Sequence, residues 1–289
     1  MTTQTVVPQR VWTIRPRSTP ALATIAAAAL IGYLLVGLFG PLLIDYDPVA
    51  TSVADRLLPP GAVTKDGAVA LLGTDGAGRD MLGQLVYGAR TSIIVGVSVV
   101  ATCLVIGLGF GTLAGYLSGW TDVAISRLID ILMAFPGILL AVVIAGLFDR
   151  GILVVVLSLS VAGWVAFARL ARGLTFSLRE RPWVDAARLV GVPTPLMIVR
   201  HIIPFVIGPI TALATTEFAG AVLTEAGLSF LGLGLPPSAV SWGQAIANGR
   251  DYLDTAWWIS AIPGLALTGL VVSTGLLGDH LTQRLGARR

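Results

Sequence analysis

Six stretches of this chain run most of the way across a lipid bilayer without a charged side chain: Ala21 to Ile44, Thr91 to Thr121, Ile131 to Phe148, Gly151 to Ala168, Ile202 to Thr216 continuing past Glu217, and Thr255 to Gly278. A helix needs roughly 20 apolar residues to cross the hydrocarbon. Lipid offers backbone groups no hydrogen-bonding partner, so a spanning segment is either a helix or part of a closed barrel. These runs lack the period-two alternation of barrel strands. Composition agrees, with 55% hydrophobic and 12% charged residues against roughly 45–50% and about 25% in a soluble domain. The expected fold class is all-α integral membrane, with six transmembrane helices.

The runs divide the chain into an N-terminal segment over 1–20, a first helix over 21–44, an external segment over 45–90, and a core over 91–289 carrying five helices and a loop at about 169–204. The first apolar run is longer than the 7–15 residues of a signal peptide, which predicts an uncleaved helix behind Arg10, Arg15 and Arg17. With both termini inside, the cytoplasmic side carries Arg10, Arg15, Arg17, Arg127, Arg169, Arg172, Arg179, Arg181, Arg188, Arg200, Arg284, Arg288 and Arg289. The other side keeps Arg56, Lys65, Arg79, Arg90, Arg150 and Arg250. That asymmetry obeys the positive-inside rule. It also accounts for the net charge of +3 without nucleic acid as a partner. The single cysteine, Cys103, excludes both a disulfide within the chain and a thiolate metal cluster.

In the second run Gly107, Gly111, Gly115 and Gly119 recur at four-residue spacing, a smooth stripe against which another helix can pack closely. Gly107, Gly109 and Gly111 overlap a dinucleotide-loop pattern, but no strand precedes them and no βαβ unit surrounds them.

Between the fourth and fifth runs the chain reads Arg181-Pro-Trp-Val-Asp-Ala-Ala-Arg-Leu-Val-Gly191-Val-Pro-Thr-Pro-Leu-Met-Ile-Val-Arg-His-Ile-Ile-Pro204. Pro182 suits a first helical turn. Gly191 suits a left-handed C′ stop, and Pro193 and Pro195 keep that helix from continuing. Trp183, Ala186, Ala187 and Val190 share one face, with Arg181, Asp185 and Arg188 off it. A second helix is expected from about Leu196 toward Pro204. The physics leaves two readings, a protruding helical elbow or an amphipathic loop on the membrane surface.

Asp185-Ala-Ala, three residues, Gly191 and the later Ile203-Pro204 resemble the coupling motif of ABC-importer permeases. In that pattern a glutamate stands where Asp185 does, an isoleucine at His201 and a leucine at Ile203. Two further stretches resemble the dipeptide and oligopeptide branch of that family: Leu72-Gly-Thr-Asp75-Gly-Ala-Gly78-Arg-Asp80 with Tyr87-Gly-Ala-Arg90-Thr-Ser, and Glu225-Ala-Gly-Leu-Ser-Phe-Leu-Gly-Leu-Gly234 with Pro236-Pro237 and Trp242-Gly243. The resemblance implies a type I ABC-importer transmembrane domain in the cytoplasmic membrane. Asp185, Ala186, Ala187, Gly191 and Pro204 would then form a cytoplasmic elbow docked on a separate ATPase. It also implies a second homologous permease, two ATP-binding subunits and an extracytoplasmic peptide-binding protein as partners. The cargo it implies is peptide or a small conjugate such as glutathione or a nickel chelate. No cofactor is expected on this chain, with ATP and Mg held by the ATPases. The one lysine, Lys65, stands in Thr-Lys-Asp-Gly and forms no Walker A loop, so hydrolysis falls to another chain.

Glu217 and Glu225 fall in or near the fifth run, where an ionisable group is by default a functional candidate. Both are translocation-path candidates, although Glu225 also fits a cap or brace of the external turn. Asp75, Arg79 and Asp80 form a polar external elbow. There Asp75 either caps the following helix or helps receive a binding protein. Trp257 and Trp258 suit an interfacial aromatic belt. A proton-coupled secondary transporter using Glu217 and Glu225 is the alternative function. An intramembrane enzyme is disfavoured, because His201 and His280 stand far apart and neither H-E-x-x-H nor G-x-S-x-G occurs. No catalytic or metal-binding residue is expected.

Overall fold

The computed structural model describes residues 20–236 and 238–286. The N-terminal arginines Arg10, Arg15 and Arg17, and Pro237, Arg288 and Arg289, lie outside the described residues.

Helix α1 (Pro20–Leu43) is followed by an external segment whose strands β1 (Ala62–Val63) and β2 (Val69–Ala70) pair antiparallel. Then come α2 (Met81–Leu117), α3 (Gly119–Met133), α4 (Gly137–Leu147), α5 (Ile152–Arg179), α6 (Pro182–Leu189), α7 (Thr194–Leu196), a π-helical turn over Met197–Ile202, α8 (Ile203–Phe230), α9 (Trp242–Gly249) and α10 (Trp258–Gly286). Among the described residues five helices are long and apolar enough to span a membrane, and the pair α3 and α4, bent by 82°, brings the number to six when it is counted as one span. The third span is therefore broken, where one helix was expected. Pro136 supplies the reason: it disfavours helical geometry at the residue before it, so the chain leaves α3 near Phe135 and restarts at Gly137. A second break separates α2 from α3, where Ser118 and Gly119 both take left-handed backbone angles (φ 56° and 60°).

The most extensive packing is α2 along α5, and the glycine stripe produces it. A Cβ on Gly107 would lie 2.6 Å from the Trp164 carbonyl oxygen, and one on Gly115 2.6 Å from that of Arg172. On Gly111 it would collide with the carbonyl oxygen of Ala168 and lie 2.7 Å from the Ala171 Cβ. The two backbones thus approach as closely as small residues allow. Gly119 does not belong to the stripe: it opens α3 and faces empty space. Helix α8 packs on α10, α2 and α5, while α1 lies against α2 and α10. The core runs from Val95 and Phe167 to Ile202 and Ile210. Leu38, Val105, Leu153 and Leu265 remain exposed, as expected for faces that meet hydrocarbon.

Helix α2 begins at Met81, so the last ten residues of the external segment, 81–90, are already helical. Here the structure corrects the capping assignment. Asp80, not Asp75, is the N-cap, its carboxylate accepting from the Gly83 N–H at 2.8 Å. Asp75 is instead the buried hub of the segment. Its Oδ1 accepts from the N–H groups of Ala77 and Arg79 at 2.8 and 2.9 Å, and its Oδ2 from Arg79 Nε at 2.8 Å and Gln84 Nε2 at 2.9 Å. Its carbonyl accepts from Leu57 N–H, tying the start of the segment to its end. Nearby, Ser52 Oγ and the Lys65 N–H donate to Asp55, holding its carboxyl below the usual carboxylate range. Removing the hub by Asp75→Ala leaves the Gln84 amide without its acceptor and Arg79 with only the Pro48 carbonyl. Loss of about 3 kcal/mol is expected, read as faster protease cleavage within 45–80 in detergent-solubilised protein. A hub of no consequence would leave cleavage unchanged.

Candidate functional site: a helical elbow and an intramembrane cleft

The elbow is built by local turn chemistry. Arg181 is extended and Pro182 opens α6. The helix ends in a Schellman arrangement, with Gly191 N–H donating to the Arg188 carbonyl at 2.9 Å and Val192 N–H to that of Ala187 at 3.1 Å. Gly191 takes φ 83°, and a Cβ there would touch nothing within 4 Å. It is required for its backbone angle, not for space.

Beyond Gly191 the structure departs from a second helix that stops at Pro204. Helix α7 passes into the π turn, which runs unbroken into α8 with Pro204 in its first turn, where the missing N–H costs nothing. The elbow is thereby continuous with the fifth span, and π turns are frequent at functional positions.

The buried face of α6 also differs from the expected one. Val184 is fully buried, in one core with Tyr116, Met197 and Ile202. Trp183 stacks against Phe205 (5.7 Å) and His201 (6.5 Å). Arg188 lies over the Tyr116 ring at 5.1 Å and donates to its hydroxyl at 3.2 Å. Ala187 is half-buried, whereas Asp185, Ala186 and Val190 point outward. The face turned away from the bundle thus carries Ala186, Leu189 (89% exposed) and Val190 (85% exposed). Below it, Arg172 grips Asp122 with two bonds, of 2.5 and 2.8 Å, joining α5 to α3. Arg179 donates to the Tyr116 carbonyl and the Ser118 hydroxyl at the end of α2. The elbow is anchored to the ends of α2 and α8, and its apolar tip is exposed among the described residues.

At the opposite end, Glu225 has the contacts of the brace reading. It is fully buried, and its Oε1 accepts from Ser229 Oγ at 2.7 Å and Ser241 Oγ at 2.8 Å, closing the loop between α8 and α9. Trp242 plugs the same region, its indole N–H donating to the Leu85 carbonyl at 3.0 Å. Trp258 is likewise no belt residue: it is buried, and its N–H donates to the Thr74 carbonyl of the external segment at 3.2 Å. Only Trp257 stays exposed.

Glu217 is placed differently. It is half-buried and lines an open cleft of about 270 Å³ between α2, α4, α5 and α8, with Cys103, Gly137, Gly163, Gly220 and Thr224 among its other walls. Sequence reasoning found Glu217 by its charge but did not place Cys103 or the three wall glycines in a cleft, because no local signal tells a cleft-lining small residue from a packing one.

Residues 107–287 match the family model described as binding-protein-dependent transport system inner membrane component. The chain belongs to this family. This inner membrane component is 37% identical to the di/tripeptide transport system permease protein DppC of Pseudomonas aeruginosa, over 86% of this chain and 82% of that protein. It is 38% identical to a putative peptide transport system permease of Brucella suis, over 91% and 87%. It is also 33% identical to the probable D,D-dipeptide transport system permease DdpC of Escherichia coli K12, over 91% and 87%. Among solved structures, an inward-facing MetNI methionine ABC transporter superposes with a TM-score of 0.58 at 18% identity, over 71% of this chain and 97% of that one, a likeness of fold. The chain is thus a multi-pass transmembrane subunit of an ATP-driven importer with the type I transmembrane fold. Family membership removes the proton-coupled alternative.

Proposed function

We propose that this chain is one of two homologous permease subunits of a peptide importer, paired with two ATP-binding subunits and supplied by an extracytoplasmic peptide-binding protein. The observation that carries the reading is the elbow. Val184, Trp183 and Arg188 fasten α6 to the span ends, and the outward tip of Ala186, Leu189 and Val190 is left uncovered among the described residues. Such a tip suits a groove in a cytoplasmic ATPase, so that closure of the ATPase pair pulls on α8 through the π turn. Asp185 and Gly191 stand at its edge and its stop, and Pro204 at the start of the driven helix. The arginine asymmetry supports this orientation, with both termini and the elbow cytoplasmic. This chain is non-catalytic: ATP and Mg belong to the ATPases, and the cargo is a di- or oligopeptide, as the names of its relatives suggest.

The test is co-purification of the tagged chain from mild detergent with identification of the bound subunits. Wild type is expected to bring down a second permease and ATPases, and a Gly191→Pro, Asp185→Arg double change to lose the ATPases while keeping the permease. If wild type purifies alone and still supports peptide uptake, the reading is wrong.

A further inference from the structure

We infer that the cleft holding Glu217 receives the protonated amino group of the peptide in transit, with the Glu217 carboxylate as its counter-charge; this rests on the peptide-importer reading above. A carboxylate at membrane depth is costly unless something compensates it. Asp122, by contrast, holds Arg172 in two bonds, and one oxygen of Glu225 accepts from two serine hydroxyls while its other oxygen is left without a partner among the described residues. Glu217 makes no hydrogen bond or ion pair among the described residues. No lysine, arginine or histidine lines its cleft.

The cleft has the right character for a ligand that passes without staying. About 270 Å³ is room for a short peptide segment, not for a large folded group. Its walls are apolar but for Glu217, Cys103 and Thr224, with the small Gly137, Gly163 and Gly220 beside bulkier side chains such as Phe167. Walls of that kind offer a peptide's own side chains few polar contacts. The single charge then recognises the one feature that differing peptides share at that end, an ammonium group. The cleft also opens where the third span is broken, since Gly137 starts α4 just after the 82° bend. Irregular backbone at membrane depth is tolerated where it lines a cavity, and broken helices recur at transporter binding sites. A charge-assisted contact of this kind is strong enough to decide a rate.

The experiment uses the complete importer, with its second permease, ATPases and binding protein, reconstituted in proteoliposomes. Uptake of dialanine is compared with that of the same molecule carrying a hydroxyl in place of the α-amino group, for wild type, Glu217→Asp and Glu217→Gln. The ratio between variants removes the binding protein's own preference, because that protein is the same throughout. Glu217→Gln is expected to lower dialanine uptake about tenfold and to leave the hydroxy analogue at its wild-type rate, with Glu217→Asp within about threefold of wild type for both. Unchanged dialanine uptake by Glu217→Gln overturns the inference. So does an equal loss of both ligands, and that loss accompanied by release of the second permease assigns Glu217 to the subunit interface instead. Wild-type complex that takes up no peptide at all overturns the peptide reading itself, a result distinct from either.

Discussion

Gly111→Val is expected to destabilise the detergent-solubilised protein by about 3 kcal/mol or more, while Gly109→Val, one step off the stripe, costs no more than about 0.5–1 kcal/mol. At Gly111 the added carbon meets the backbone oxygen of Ala168 and the Cβ of Ala171. Neither can rotate away as the end of a flexible side chain would, so α2 and α5 must separate. Separation would carry the neighbouring contacts at Gly107 and Gly115 with it, since all three close on the same helix. In a bilayer no hydrophobic force restores such a pair, because lipid tails are as apolar as the separated faces. At Gly109 nothing lies within 4 Å, and helix propensity, which ranks valine slightly above glycine, adds no cost there. Thermal unfolding of the two variants beside wild type measures the difference. Equal effects at the two positions would mean that the stripe does not set the α2 and α5 distance.

Val184→Asp is expected to disconnect the elbow from the spans. Val184 is completely buried against Tyr116, Met197 and Ile202, and an unpaired carboxylate placed there costs about 3–5 kcal/mol. The chain avoids that cost by releasing α6 to solvent, since the neighbouring π turn is the less regular part of the path into α8. ATPase activity in the reconstituted complex should then lose its dependence on loaded binding protein, while the permease pair stays assembled. Val190→Asp is the matched comparison. That residue is exposed, so folding stability should change by less than about 0.5 kcal/mol and only ATPase docking should suffer. Should Val184→Asp retain coupled ATPase activity, the anchored-lever description of α6 is wrong.

The two positions also show where sequence reading stops. Trp183, Ala186, Ala187 and Val190 share a face by helical period, which finds one apolar stripe but not the side on which the body of the protein lies. Tyr116 and Ile202, far from Val184 along the chain or beyond the turn, decide that Val184 faces inward and Val190 outward. Residue type alone made Asp75 a plausible cap. The cap falls to Asp80 because Asp75 is taken up by Arg79, Gln84 and two backbone N–H groups.

What the sequence by itself determined is whatever a local physical constraint dictates. Bilayer thickness is a length, so the spans are readable as charge-free runs. Helical period is local, so the stripe of Gly107, Gly111 and Gly115 is visible before its partner is known. Turn chemistry is local too, so Pro182 and Gly191 mark both ends of α6. Tertiary structure alone decided what depends on where the chain returns. Trp258 leaves the interface because its N–H meets the carbonyl of Thr74, which lies 184 residues earlier. Glu225 becomes a brace because Ser241 folds back onto it. Glu217, two turns away on the same helix, meets no such partner and is left facing a cleft. Two glutamates alike in sequence context are separated only by which distant groups reach them, and that no period or composition encodes.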